Sequence, residues 1–143
     1  MGIQFYPGPW RVMRCDFNTG FQPPEMVKYR PVISVSKKRN DSVTLCTVVP
    51  ISSTAPSPLR DHHYLLPQSE LPHHLRHEYP EAWVKVDMIA TVAFRRLNML
   101  WHGRDQYGNR VYQTGRISRQ HRVEISQRIA SWMVLEGLDG DPS

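Results

Sequence analysis

The chain has little cysteine and no long apolar run. Its 143 residues include two cysteines, Cys15 and Cys46, which form no Cys-x-x-Cys pair. A disulfide scaffold and a cysteine-rich zinc fold are therefore excluded, and we expect two buried free thiols in a reducing, cytoplasmic setting. No stretch approaches the roughly 20 apolar residues that a membrane-spanning helix needs, so we expect no membrane contact.

Glycine-rich phosphate-binding motifs are also missing. The sequence contains no G-x-G-x-x-G, no G-x-x-x-x-G-K-[ST] and no G-x-S-x-G. Dinucleotide binding, nucleotide hydrolysis by a P-loop and a serine nucleophile on a strand-to-helix elbow are thus without support. We expect no cofactor.

A histidine-rich segment is the one candidate metal site. His73 and His77 are four residues apart and could share a helix face. The segment lacks the glutamate of an H-E-x-x-H zinc motif, and Pro72 and Pro80 limit any helix to two turns. The sequence therefore favours a solvated surface segment over zinc binding, and we expect no metal.

Positive charge is in excess. Lysine and arginine number 18 against 13 acidic residues, for a net charge of +5. Three of the acids, Glu136, Asp139 and Asp141, lie in the last eight residues, so the rest of the chain is more basic still. This surplus favours a polyanion or an acidic protein as the partner. His62 and His63 could add contacts to RNA.

Alternating apolar residues predict a mainly β, α+β fold. Strands are expected at 9–17, 31–38, 42–50, 64–67 and 82–94, the last with a break near Met88. A tight turn at KRND, residues 38–41, would join the second and third strands as an antiparallel hairpin. Residues 116–138 read as a helix with Val123, Ile125, Ile129, Trp132 and Met133 near one face. We expect one domain over 1–143, a small antiparallel barrel with a C-terminal helix and a short acidic tail at 137–143.

An arginine stands at the mouth of the second strand. In KYRPVISVS, residues 28–36, Arg30 offers a planar fork of donors that suits a phosphate. Pro31 stiffens the strand and favours an extended Arg30. The alternative is that Arg30 only pairs with Glu25 at the surface. Lys28 would support the positive field, and Tyr29 could serve in packing or in base stacking.

A hydroxyl cluster ends the neighbouring strand. In VVPISST, residues 48–54, Ser52 begins a run of three hydroxyls. The start of one hairpin strand and the end of the next meet at one edge, so this cluster is expected beside Arg30. Glu25 lies on the loop leading to Arg30. A carboxylate, an arginine and a hydroxyl could together cleave RNA through its own 2′-hydroxyl without a metal.

Three stretches, in this order, resemble the MazF/PemK/Kid toxins of type II toxin–antitoxin systems. They are CDFNTGFQPPEMVKYRPVISVS, VTLCTVVPISST and VKVDMIATVAFRRL, followed by the C-terminal helix. The resemblance implies an SH3-like barrel with a C-terminal helix, usually as a homodimer. It also implies a metal-independent, sequence-selective endoribonuclease that cuts single-stranded mRNA, an mRNA interferase, and that is silenced by an antitoxin.

The resemblance also implies roles for individual residues. Arg30 would stabilise the charge on the phosphate, Ser52 would hydrogen-bond the scissile phosphate, and Glu25 would take the proton from the 2′-hydroxyl. Asp87 matches an acidic position that reads a base, and Lys85 matches a basic residue two positions earlier. The residues expected to contact RNA are Lys28, Ser53, Thr54, Lys85 and Asp87.

The chain departs from the family pattern at several positions. Pro24 stands where members carry histidine or serine, and Met26 and Met88 stand where glutamine is common. The loops at 55–82 and 102–116 are longer than the compact pattern. The alternative is therefore an inactive or non-nuclease module on the same barrel, which would bind RNA or block a target as gyrase-poisoning relatives do. In either case an acidic antitoxin segment is the expected protein partner, competing with RNA for the basic groove.

Overall fold

A computed structural model describes residues 2–136, which form nine β-strands and one α-helix. The strands are β1 (Val12–Asp16), β2 (Tyr29–Ser34), β3 (Leu45–Ser52), β4 (His63–Leu66), β5 (Ala82–Lys85), β6 (Ala90–Ala93), β7 (Leu97–Met99), β8 (Trp101–Arg104) and β9 (Arg110–Tyr112). The helix is α1 (Arg119–Trp132). Four short 3₁₀ turns interrupt the connections, at Gln68–Glu70, His73–Leu75, Val86–Met88 and Phe94–Arg96.

β3 is the central strand of a seven-stranded antiparallel sheet. One of its edges pairs with β2, where Val32 faces Pro50 and Ser34 faces Val48. Its other edge pairs with β6 through its first half and with β5 through its last two residues. β1 joins β2 to β7, and β4 joins β5. The last two strands, β8 and β9, form a separate hairpin.

Both faces of the sheet carry a hydrophobic core, because successive side chains of a strand point to opposite faces. Along β2, Ile33 lies in a core that also contains Ile125 of α1, here called the helix-side core. Val32 lies in a second core with Phe17, here called the opposite core. All four side chains are fully buried, and burying one such side chain stabilises the fold by about 1.5–3 kcal/mol.

α1 buries a narrower face than the sequence pattern predicts. Ile125 is fully buried and Ile129 packs against the helix-side core. Val123 is 42% exposed, because two residues rotate a helix by about 200° and carry its side chain to the far side of α1. Trp132 and Met133 are each 45% exposed at the end of the helix. The expectation of one shared face is wrong for Val123.

Two connections differ from the sequence-based expectation. The tight turn expected at KRND is wrong: β2 ends at Ser34 and β3 begins at Leu45, so a loop of residues 35–44 joins them. The long loop expected at 102–116 contains most of the β8–β9 hairpin. The expected break near Met88 is confirmed, since a 3₁₀ turn at Val86–Met88 separates β5 from β6.

The mainly antiparallel α+β class with a C-terminal helix is confirmed. The sheet is not closed into a ring, because β4 and β7, at the two ends of the strand order, do not pair within residues 2–136. No helix in the described part of the chain is long and apolar enough to cross a membrane. The single domain over 1–143 stays a prediction, and its acidic tail at 137–143 lies outside the described residues.

Candidate active site

The pairing of β2 with β3 brings Arg30 and Ser52 to facing positions. Val32 is opposite Pro50 and Ile33 is opposite Val49, so the same register, continued by two residues, sets Arg30 opposite Ser52. The paired ladder stops at Val32 and Pro50, and the next residue of β2, Pro31, has no N–H to donate across the pair. This end of the sheet therefore leaves a gap between the two strands.

Each side of this gap is held by an outer strand. Arg30 is paired with Cys15 of β1, and Ser52 is paired with Trp83 of β5. Cys15 lies in the opposite core, so Arg30 and Ser52 belong to that face of the sheet. The gap has rigid walls because both residues lie on strands and not on loops.

Arg30 is half-buried and is fixed by one hydrogen bond. Its Nε donates to the carbonyl oxygen of Val27 at 2.8 Å. In the described part of the chain, its two Nη groups have no hydrogen-bond or ion-pair partner. The orientation of the guanidinium is thus set by the protein, while the outer edge of the fork keeps its donors for an anion.

Ser52 is 4% exposed and its hydroxyl is oriented by the following loop. The backbone N–H of Thr54 donates to Ser52 Oγ at 3.1 Å. Because the oxygen accepts this bond, its own hydrogen points elsewhere and can be donated to a ligand. Ser53 and Thr54 follow on the surface and are exposed.

Glu25 lies on the β1–β2 loop with its carboxylate turned back on that loop. Oε1 accepts from the N–H of Gln22 at 3.2 Å, and the N–H of Glu25 donates to the Gln22 carbonyl at 2.8 Å. Glu25 is exposed, and no ion pair joins it to Arg30 among residues 2–136. The alternative that Arg30 merely pairs with Glu25 at the surface is therefore not what the fold contains.

Lys28 adopts an unusual backbone conformation at the end of the same loop. Its φ of 77° lies in the left-handed region, and its carbonyl accepts from the N–H of Phe17 at 2.8 Å. This conformation ends the loop directly before β2, and the Lys28 side chain stays exposed.

Tyr79 is a neighbour of Arg30 that the sequence pattern did not single out. Its side chain packs in the helix-side core. Burial raises the pKa of Tyr79, while the nearby charges of Arg30 and Arg14 oppose that rise. The sequence offers no local signal that the two residues come near each other, because Tyr79 lies almost 50 residues from Arg30 in an irregular segment.

Asp87 and Lys85 lie away from Arg30 and Ser52. Lys85 is opposite His63, two residues along β5 from the position that faces Ser52. Asp87 follows on the 3₁₀ turn, where its carboxylate oxygens lie 3.7 Å from His62 Nε2 and 3.8 Å from His63 Nε2. The structure thus groups Asp87 with two histidines and not with the arginine.

The same three residues form the metal-competent cluster of the described chain, where their ligand atoms lie within 4.8 Å of one another. The backbone N–H of Arg60 donates to His63 Nδ1 at 3.0 Å. Neutral His63 then carries its proton on Nε2, the nitrogen that faces Asp87, which opposes metal binding there. The His73 and His77 pair considered from the sequence does not form a three-ligand cluster within residues 2–136.

An antiparallel sheet packed on a C-terminal helix, with an arginine and a serine facing across a gap at one end, defines a small α+β protein with a candidate phosphate site. Solved structures share this fold. An endoribonuclease from a mycobacterial species, solved in complex with its cognate antitoxin, is 19% identical over 88% of this chain and 93% of its own, with a TM-score of 0.57. MazF from Deinococcus radiodurans is 16% identical over 90% and 96%, with a TM-score of 0.62.

The sequence pattern of a protein family gives the identity more directly. The family described as PemK-like, MazF-like toxin of type II toxin-antitoxin system matches residues 9–133, and the chain belongs to this family. No curated protein sequence matches the chain. The resemblance read from the three sequence stretches is thereby confirmed.

Proposed function

We propose that this toxin is an endoribonuclease that cleaves single-stranded RNA, typically mRNA, through the 2′-hydroxyl. The observation that carries the proposal is the arrangement of Arg30 and Ser52, two donors held on neighbouring strands across a gap in the ladder. Family membership and the shared fold of the mycobacterial endoribonuclease support the same activity.

The proposed reaction is an in-line transfer at phosphorus. Glu25 takes the proton of the 2′-hydroxyl, the 2′-oxygen forms a bond to phosphorus, and the bond to the 5′-oxygen breaks. In this scheme Arg30 and the Ser52 hydroxyl would donate to the phosphate oxygens as their negative charge grows. The leaving 5′-oxygen takes its proton from water, because an arginine does not deprotonate in this pH range. The products are a 2′,3′-cyclic phosphate and a 5′-hydroxyl.

RNA contacts are proposed at two distances from the cleavage point. Lys28, Ser53 and Thr54 flank Arg30 and Ser52 in sequence and are exposed, so they would hold the adjoining phosphates. Asp87 belongs to the more distant histidine cluster and Lys85 is the strand partner of His63, so both would contact a base further along the strand. No metal or cofactor takes part in this scheme.

The proposed partners follow the family. The mycobacterial endoribonuclease was solved with its cognate antitoxin, and the basic charge of this chain favours an acidic antitoxin segment that competes with RNA. We further propose a homodimer acting in the cytoplasm.

The second candidate function is a binding module without nuclease activity. The observation favouring it is the Glu25 carboxylate, which is hydrogen-bonded within its own loop and not paired with Arg30. In this case the chain would hold RNA or block a protein target without cutting RNA. Growth arrest with intact mRNA, after expression of the chain alone, would favour this function.

Cleavage of a single-stranded RNA in the presence of EDTA tests the nuclease. We expect the purified chain to cut and to leave a 2′,3′-cyclic phosphate, and we expect Arg30→Ala and Ser52→Ala each to slow cleavage about 100-fold while staying folded. Lys38→Gln, which removes an exposed cation elsewhere, is the control and should cut normally. Cleavage that stops on chelation, or that survives Arg30→Ala, would contradict the mechanism.

A further inference from the structure

A large groove lies between the N-terminal segment, the edge of the sheet at β1 and β7, and the β8–β9 hairpin. Its volume is about 970 Å³, and we call it the hairpin groove. Arginines and aromatic rings line it together: Arg11, Arg14, Arg110, Tyr29, Trp101 and Tyr112.

The rings of this groove are open to solvent. Trp101 is 39% exposed, Tyr112 is 48% exposed and Tyr29 is 40% exposed. Trp101 and Tyr112 face each other across the hairpin. Three large aromatic rings are thus exposed on one concave surface. Exposed apolar patches of this kind mark binding sites.

Arginine planes already lie over these rings. Arg110 Cζ is 4.5 Å from the centre of the Trp101 ring, and Arg14 Cζ is 5.6 Å from the centre of the Tyr29 ring. The Tyr29 hydroxyl also accepts from Asn98 Nδ2 at 2.9 Å, which fixes the ring at the edge of the sheet. Stacked guanidinium and aromatic planes are the surfaces on which unpaired bases stack.

The charge of the groove is positive. No carboxylate lines it within residues 2–136, and Glu78 approaches only its margin, at 3.7 Å from Arg14. Arg11 Nε is buried without a hydrogen-bond partner among the described residues. Arg11 lines the groove and forms no ion pair in the described part of the chain, so no carboxylate there offsets its charge.

The groove begins next to the candidate active site. Tyr29 and Arg30 are consecutive in β2, so their side chains point to opposite faces of the same strand. RNA bound at both places would therefore have to pass around the start of β2.

We propose that the hairpin groove binds single-stranded RNA beside the cleavage site, with unpaired bases stacked on Trp101 and Tyr29 and phosphates held by the arginines. This inference rests on the proposed function, because it takes RNA to be the substrate. An acidic peptide would match the charge of the groove, but exposed aromatic rings beside guanidinium groups suit the stacking of bases better.

The test measures RNA affinity separately from cleavage. The probe is a fluorescein-labelled single-stranded 12-nucleotide RNA of mixed sequence that is 2′-O-methylated throughout and so has no nucleophile to react. Fluorescence anisotropy gives its Kd for the full chain. We expect Trp101→Ala to weaken binding about tenfold and Trp101→Phe to stay near the unaltered chain, because a ring is kept.

The charge of the groove is tested by salt dependence. Arg110→Gln should weaken binding and reduce the slope of log K against log salt by about 0.7, the value for one phosphate contact on a single strand. Lys38→Gln removes one exposed cation away from the groove and is the matched control, with little change expected in affinity. Circular dichroism and the thermal midpoint check that each variant is folded.

The outcomes separate the two proposals. Unchanged Kd values for folded Trp101→Ala and Arg110→Gln would overturn the hairpin groove as an RNA site and leave it to a protein partner, even if the chain cleaves RNA. Weakened binding in both variants would support the groove, even if the chain fails to cleave RNA with EDTA present.

Discussion

Arg30 uses one of its donors to hold itself in place. Its Nε bond to the Val27 carbonyl at 2.8 Å fixes the guanidinium plane, and the remaining donors have no hydrogen-bond partner among residues 2–136. The side chain thus combines a permanent charge with a fixed direction, which a flexible ammonium group does not provide.

Replacing Arg30 by lysine separates charge from geometry. Lysine has one nitrogen, which cannot donate to Val27 and also present a two-pronged edge to a phosphate. We expect Arg30→Lys to lower the single-turnover rate of RNA cleavage by about 100-fold at unchanged net charge.

Lys38→Arg is the matched control, because it makes the reverse exchange at an exposed position and should cleave at the normal rate. A rate for Arg30→Lys close to that of the unaltered chain would mean that charge alone is sufficient.

The two cysteines behave as the sequence predicts. Both are free and buried. Burial raises the pKa of Cys15 to about 12 and also raises the pKa of Cys46. Because the thiolate is the reactive form, both thiols are chemically quiet in the folded chain.

At the scale of single elements, β3 contains a proline at a position that neither β5 nor β6 pairs with. β6 pairs with β3 as far as Val48, and β5 pairs from Ile51 onward. On the side of β3 that pairs with β2, the N–H of Val35 donates to the carbonyl of Thr47. Because the backbone groups of successive residues in an antiparallel strand point to alternate edges, the backbone nitrogen of position 50 points toward the other edge of β3. Pro50 has no backbone N–H, and at its position no neighbouring strand offers a carbonyl to accept one.

The buried side of α1 contributes to the free energy of unfolding. Ile125→Ala removes a fully buried side chain from the helix-side core and should lower the free energy of unfolding by about 2–5 kcal/mol. Val123→Ala, two residues away on the exposed side of the same helix, is the matched control and should change the free energy by no more than about 0.5 kcal/mol.

Urea denaturation followed by circular dichroism measures both variants. Equal losses in the two would mean that the helix presents both sides to the fold.

At the scale of the whole molecule, half-buried histidines make stability depend on pH. Burial lowers the pKa of His63 and of His74 below the ordinary value of 6.5. For His63, His62 adds to this effect and Asp87 opposes it; for His74, His102 adds to it and Glu78 opposes it. Both side chains therefore stay neutral in the folded chain at a pH where the unfolded chain protonates them.

We expect the free energy of unfolding to fall as pH is lowered below about 6.5. In that range the unfolded state binds more protons than the folded state, so acid favours unfolding, and the loss continues down through the folded pKa. The double variant His63→Gln/His74→Gln should show a shallower decline between pH 7 and pH 5, measured by urea denaturation.

His77→Gln, at an exposed position, is the control and should leave the slope unchanged. A double variant with the slope of the unaltered chain would mean that other groups carry the pH dependence.

Features that depend on local pattern could be predicted from the order of the amino acids alone. Period-two alternation in PVISVS assigned Val32 and Ile33 to opposite faces, and the structure buries them in separate cores. The break near Met88, the C-terminal helix and the family stretches were also readable, because turn chemistry and short motifs act within a few residues.

Contacts between distant segments could not be predicted in this way and are known from the three-dimensional fold. Met13 pairs with Met99, 86 positions further along the chain, and Asp87 meets His62 and not Arg30. The open sheet, the hairpin groove and the exposure of Val123 likewise depend on how distant segments come together. Such contacts depend on the balance of burial against chain entropy summed over the whole fold, which no local pattern encodes. Arg30 and Ser52 combine both kinds of information. The antiparallel pairing of their two strands was predictable from the sequence, but the gap in the ladder between the two residues was not.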